Sequence, residues 1–306
     1  MSGAASVIGL YGAPDPEVIE LPLGATQFSP LSPGAERLEA LSDGALDEIT
    51  ILAPPGALER RYVLAQALRA LKPGGALLAL APKGKGGSRL RAELEAFGCA
   101  VDEEARRHHR ICRVVRPAAP TGLQTAIAEG GPRLIDELGL WSQPGVFSWD
   151  RIDPGSSLLL RILPALSGTG ADLGCGVGVL ARQVLTSPAV TSLHLVDVDR
   201  RALDAAGRNI ADPRARLHWA DAREPVAGVE DLHFVVMNPP FHDSAGQDHR
   251  LGVAFIGAAA RLLRRGGRCW LVANRHLPYE AMLNERFNQV IRRADEGGYK
   301  VYEAVK

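Results

Sequence analysis

Cysteine is scarce in this 306-residue chain: only Cys99, Cys112, Cys175 and Cys269, far apart and with no C-x-x-C pair. That excludes a zinc-ribbon or disulfide framework, and no metal site is expected. Net charge is missing too, because 35 Lys+Arg balance 35 Asp+Glu. A balanced chain projects no long-range field, so any surface for a polyanion must be local. Lysine supplies only five of the 35 basic residues, an arginine bias that fits a GC-rich genome as well as it fits phosphate binding. No apolar run is long enough to span a bilayer, and the opening MSGAASVIGLYG lacks the basic flank of a signal peptide. A soluble, cytoplasmic protein is expected, long enough for two domains that each bury a core.

What is present is alternation. From Asp47 onward the pattern predicts a strand (EITILAPP), a helix over 58–71 stopped by KPGG, a strand (ALLALAP), a helix over 88–97 closed by Gly98, and a strand in HRICRVVR. The Pro- and Gly-rich RPAAPTG, 116–122, can continue neither element and reads as a linker. Beyond it the theme returns in GADLG, SLHLVDV, RLHWADA, LHFVVMN and RCWLVAN, with helical stretches between most of them. Strands alternating with helices argue for a mainly parallel, doubly wound α/β fold.

An internal repeat connects the two halves. DEITILAPPG (47–56) resembles DLHFVVMNPPF (231–241), and ALRALKPGGALLALAPK (67–83) resembles AARLLRRGGRCWLVANR (259–275). Pro54 aligns with Pro239 and Gly74 with Gly266, which leaves seven extra residues in the second copy just after NPPF. A longer loop there is where substrate contacts are placed. Asn238 is matched by Ala53, and nothing before Asp47 resembles the glycine-rich turn of the second copy. The expectation is therefore two tandem Rossmann-like domains, residues 1–118 degenerate and without a cofactor site, residues 123–306 catalytic. The Pro- and Gly-rich opening segment of the first domain is short and predicts only a partial sheet.

In ADLGCGVGVL, Gly174, Gly176 and Gly178 stand at alternate positions between a strand and a helix. Such a turn lets backbone approach a ligand while the helix start offers free N–H groups. Glycine-rich turns of this kind also serve NAD, FAD or packing alone. LVDVD ends the next strand with Asp197 and Asp199; a carboxylate there can accept hydrogen bonds from both ribose hydroxyls. Asp199 has an alternative duty as N-cap of the helix RRALDAAGRNI, which leaves Asp197 for the ribose. Asp221, in HWADA, is placed to receive an adenine amino group, or is an ordinary polar loop residue.

Together these motifs resemble the class I S-adenosylmethionine-dependent methyltransferases, over most of the chain from Leu158 onward. The resemblance implies S-adenosyl-L-methionine as cofactor, held by Asp172, Gly174, Gly176, Gly178, Asp197, Asp221 and Asn238. The G-x-G-x-G spacing departs from the G-x-G-x-x-G of dinucleotide sites. NPPF after the fourth strand is similar to the signature of enzymes that methylate planar amino groups: adenine N6, guanine N2 or the glutamine amide. Such a nitrogen is a weak nucleophile because its lone pair is delocalised. Two fixed acceptors, the Asn238 side-chain oxygen and the Pro239 carbonyl, can hold its hydrogens and aim the lone pair. Proline stiffens the turn, and Phe241 can lie against the base. Asn238, Pro239 and Phe241 are thus the implied catalytic residues.

QPGVFSWDRIDPGSSLLL (143–160), NPPFHD (238–243), LVANRHLPYE (271–280) and YKVYEA (299–304) resemble the two-domain bacterial ribosomal RNA small-subunit guanine-N2 methyltransferases. That implies ribosomal RNA or the small subunit as partner, a monomer, and N2 of a guanosine, 16S favoured, as target. His242, Phe147 and Asn274 are implied near the substrate. Two basic clusters of the first domain, KGKGGSRLR with Lys83 and Lys85 and RRHHRICRVVR with Arg106 and Arg107, suit RNA phosphates or are simply solvated. A third, RLLRRGGR (261–268), reads as a helix C-terminus where Arg complements the dipole. The rivals are a release-factor glutamine methyltransferase, a DNA adenine methyltransferase without its recognition insertion, and a non-catalytic ribosome-assembly protein that keeps the fold.

Overall fold

The computed structural model describes residues 6–239 and 245–306. The chain divides into two compact units, Met1–Pro132 with Gln143–Gly145, and Arg133–Ser142 with Val146–Lys306. Among the described residues no helix is long and apolar enough to cross a membrane.

The first unit is built on β1 (Ile8–Tyr11), β2 (Thr26–Gln27), β3 (Leu46–Leu52), β4 (Leu71–Pro82), β5 (Val101–Arg106) and β6 (His109–Val115). They form one sheet in the order β2-β1-β3-β4-β6-β5, parallel up to β4 and antiparallel in the last two strands. Its helices are α1 (Ala57–Ala70), α2 (Ser88–Ala96) and α3 (Leu123–Gly130). Alternate strand residues Ile49, Ile51, Leu77 and Ala79 turn to one face and bury against Leu64 and Leu68 of α1 and Leu90 and Leu94 of α2. The unit extends past the segment 116–122. Thr121 Oγ1 donates to the Ala96 carbonyl, and Arg116 Nε to that of Leu68. Beyond it α3 packs on α1 so closely that a Cβ on Gly130 would lie 2.3 Å from Tyr62 Cβ.

The second unit opens with a hairpin, β7 (Arg133–Ile135) and β8 (Leu140–Ser142), that the sequence did not announce. There follow α4 (Pro154–Ile162), β9 (Gly168–Leu173), α5 (Val179–Val184), β10 (Val190–Asp197), α6 (Arg200–Asn209), β11 (Ala215–Trp219), β12 (Leu232–Met237), α7 (Ala245–Leu262), β13 (Leu263–Asn274), α8 (Glu280–Arg286), β14 (Gln289–Glu296) and β15 (Tyr299–Val305). Its sheet runs β11-β10-β9-β12-β13-β15-β14, parallel from β11 to β13 and antiparallel in the β13–β15 and β15–β14 pairings. The order β2-β1-β3-β4-β6-β5 repeats β10-β9-β12-β13-β15-β14 strand for strand. Among the described residues the first sheet has no counterpart of β11, in keeping with the partial sheet expected there. Of the seven extra residues in the second copy, α7 takes up part, being 18 residues against 14 in α1. Pro240–Ser244 lie outside the described residues.

The turn after β3 shows what became of the first copy's prolines. The Arg60 side chain, 2% exposed, donates from Nη1 to the carbonyls of both Pro54 and Pro55 at 3.1 and 2.7 Å, and pairs through Nε and Nη2 with Glu93 at 2.7 Å. Gly86, with φ +97°, leaves the room: a Cβ there would lie 2.2 Å from Arg60 Nη1. The carbonyls of this turn are therefore occupied from inside the domain. Arg60→Ala strands Glu93 and the two carbonyls, and is expected to cost about 3–5 kcal/mol of unfolding free energy in urea melts, with part of it regained in the Arg60→Ala/Glu93→Ala pair. A single-variant loss under about 1 kcal/mol contradicts the buried pair as a stabilising contact.

Candidate active site

Strand pairing assembles the site. β9 lies between β10 and β12, with Leu173 beside both Val196 and Met237. The glycine turn, Asp197 and Asn238 therefore leave the sheet together, at the carboxyl ends of three adjacent strands where the strand order reverses. Open α/β sheets bind ligands at that place.

Gly174, Gly176 and Gly178 have φ of +70°, +53° and +88°, a left-handed path that only glycine follows without strain. Among the described residues, a Cβ on Gly176 would meet no atom within 4 Å beyond its chain neighbours, so the backbone here faces open space. Asp172, the last but one residue of β9, is fully buried, and neither carboxyl oxygen has a hydrogen-bond partner among the described residues. Burial first, and the charge of Asp197 second, raise its pKa to about 8. Asp197 accepts the Gly176 N–H and the Asp199 N–H, one on each oxygen, both at 2.8 Å. Burial raises its pKa to about 6 against those two donors. Each oxygen keeps a second acceptor position. An orphan buried carboxyl, a backbone facing open space and a carboxylate with spare acceptor capacity fit a cofactor that brings an amino group and ribose hydroxyls. They are the residues that would hold S-adenosylmethionine.

Asn238 follows β12. Its Nδ2 donates to Asp153 Oδ2 and to Ser156 Oγ, both at 2.8 Å, while its Oδ1 is buried with no partner among the described residues. Pro239 is buried beside it. Phe241 and His242 lie outside the described residues. A cleft runs between the glycine turn, Asn238, Asp153 and Ser156 on one side and the β7–β8 hairpin with Phe147, Ser148 and Trp149 on the other. Phe147, 54% exposed, stands at this cleft.

The remaining residues singled out from the sequence are dispersed. Asp199 caps α6, accepting the Arg201 N–H at 3.0 Å. Asp221 is paired with Arg223, whose hydrogen bonds hold it below the usual carboxylate range. Asn274 ends β13 opposite Tyr299 and does not line the cleft. Lys83, Lys85, Arg106 and Arg107 are exposed in the first unit. Three residues of the site carried no sequence signal of their own. Asp153 and Ser156 sit at the start of α4, where D-P-G-S reads only as an N-cap with proline at the first helical position. Asn209 binds the Trp141 N–H and carbonyl and the Val177 carbonyl, fastening the hairpin to the glycine turn.

The raised Asp172 and Asp197 pKa values make a pH prediction. The folded, cofactor-free protein holds these protons more tightly than the unfolded chain, so their contribution to stability is complete below about pH 4. It is lost as the pH rises through about 6 and then about 8. Melting temperatures between pH 5 and 8.5 should fall with rising pH, and less steeply in Asp172→Asn; equal slopes contradict the assignment.

The methyltransferase small domain family matches residues 137–303. Ribosomal RNA small subunit methyltransferase C of Shewanella piezotolerans is 30% identical over 266 residues, covering 85% of this chain and 77% of that protein. Its namesake in Pseudomonas aeruginosa is 30% identical over 276 residues, covering 89% and 83%. Among solved structures, the T. thermophilus 16S rRNA N2 methyltransferase RsmC, in complex with AdoMet and guanosine, shares the fold with a TM-score of 0.80 at 24% identity, over 100% of this chain and 90% of that one. The chain belongs to the methyltransferase small domain family and, within it, to the ribosomal RNA small subunit methyltransferases C.

Proposed function

We propose that this protein transfers the methyl group of S-adenosyl-L-methionine to the exocyclic N2 of a guanosine in 16S ribosomal RNA. The observation that carries this reading is the Asn238 amide: its NH₂ is fully engaged and its oxygen is buried, unpartnered and next to the glycine turn. A free acceptor in that position suits an incoming amino group. The names of the relatives, ribosomal RNA small subunit methyltransferases, supply the class of RNA.

Bound S-adenosylmethionine supplies an electrophilic methyl group on a sulfonium sulfur. The chain's part is to orient the nucleophile. Asn238 Oδ1 and the Pro239 carbonyl accept the two N2 hydrogens, which turns the nitrogen lone pair towards the methyl carbon. Phe147, exposed at the cleft, offers the base a ring to stack on. No strong base is required, because the methylated amine is briefly cationic and sheds its proton readily.

The first domain acts as a silent copy. Its Pro54 and Pro55 carbonyls are taken by Arg60, and Ala53 stands where the second copy has Asn238. Its role is support and RNA contact. The Lys83 N–H donates to the His108 carbonyl at 2.8 Å, which brings the two basic clusters to one end of the sheet. Lys83, Lys85 and Arg106 are exposed there without an ion pair among the described residues, beside Arg107, which pairs with Glu17. Such cations suit phosphates, which give affinity without reading sequence. The reading includes a monomer in the cytoplasm, where ribosomal subunits are made.

Asn238→Ala should lower turnover on small subunits by about 10²–10³-fold, assayed as N2-methylguanosine formed from labelled S-adenosylmethionine. Near-normal turnover in that variant contradicts the reading.

A further inference from the structure

The residues that hold the Asn238 amide form a device of their own. Asp153 caps α4: its Oδ2 accepts the Ser156 N–H at 2.8 Å, and Pro154 occupies the first helical position. The same Oδ2 accepts from Asn238 Nδ2 at 2.8 Å, and Ser156 Oγ lies 2.8 Å from that nitrogen. One turn of helix thus faces the end of β12 across 85 and 82 residues of sequence. That turn is seated firmly. α4 packs on β13 and β15, and a Cβ on Gly155 would lie 2.9 Å from the Tyr299 ring and 3.0 Å from Asp153 Oδ2, so position 155 has no room for a side chain.

A primary amide fits such a slot in two ways that differ by a half-turn, and the two are chemically opposite. A carboxylate oxygen can only accept. With Nδ2 towards Asp153, two hydrogen bonds form and Oδ1 points away. With the amide reversed, its oxygen would face Asp153 Oδ2 as acceptor against acceptor, and an NH₂ would be offered to the substrate. An NH₂ cannot accept the hydrogens of an amino group. The orientation of Asn238, and with it the ability of the site to receive an amine, is therefore decided by α4.

We infer that Asp153 and Ser156 are positioning residues for the methyl transfer: they select the one amide orientation of Asn238 that presents an acceptor to the target amine. This rests on the proposed function. It extends that reading to a segment, D-P-G-S, that contributes no reacting group, and it makes the cap of α4 part of the catalytic geometry.

The test is a mutant cycle on small subunits, with N2-methylguanosine as product and calorimetric S-adenosylmethionine binding measured alongside. Ser156→Ala keeps the helix cap and removes one of the two bonds to Nδ2; kcat should fall about tenfold, and Asp153→Ala should lower it about 10²-fold. KM for the subunit and cofactor affinity should stay within about twofold in Ser156→Ala, since neither depends on the amide orientation. Because both residues act through Asn238, Ser156→Ala added to Asn238→Ala should cost nothing further. Full kcat in both single variants, or losses that multiply with that of Asn238→Ala, overturn the positioning role while an impaired Asn238→Ala leaves the functional reading intact. An unmodified protein that forms no N2-methylguanosine overturns that reading, and the positioning role with it.

Discussion

The pairing of β9 with β12 is the constraint on which the site depends. It sets Leu173 against Met237, so a glycine turn built for close backbone approach and an Asn-Pro turn built for rigidity leave the sheet side by side. β10, paired on the far side of β9, delivers Asp197 to the same edge, and the carboxylate reaches back to the Gly176 N–H. The glycine turn and the unpartnered amide oxygen of Asn238 thus share one piece of backbone geometry. Buried clusters on both faces of the sheet keep that geometry fixed.

The first unit keeps the strand order of the second and differs from it at the turn after β3. Its strand order follows the second sheet, and its prolines remain after β3, but Ala53 has no side-chain acceptor and Arg60 has moved onto the carbonyls. A guanidinium is a planar group of N–H donors. Arg60 therefore meets the hydrogen-bonding demand of the Pro-Pro carbonyls from within the fold, in the manner proposed for a substrate amine at the second copy. With Glu93 closing the other side, the donors and acceptors of the first turn are matched within the fold.

Much of this was legible in the chain. Period-2 and helical patterns located the principal strands and helices because each buries one face, and the repeat anticipated the shared strand order. Asp199 could be assigned to capping because its partner, the Arg201 N–H, is two residues away. The glycine turn was visible because the left-handed path needs glycine. What stayed hidden is tertiary. Asp153 and Asn238 are 85 residues apart, and Arg60 and Glu93 are 33 apart, so no local pattern links either pair. D-P-G-S reads as a cap in any helix, and only the fold shows that the capping carboxylate has a second guest. The β7–β8 hairpin is too short to print a periodicity, and Asn209, which fastens it to the glycine turn, looks like any polar residue at a helix end.

The central claim is that a buried, unpartnered amide oxygen marks a site for the amino group of a guanosine. Mass-spectrometric mapping of N2-methylguanosine in both ribosomal RNAs, from cells with the gene, without it, and with it restored, tests that claim most directly. One 16S position should lose its N2-methyl group in the deletion and regain it on restoration, with the large-subunit RNA unchanged. An identical N2-methylguanosine profile in all three strains would contradict the account.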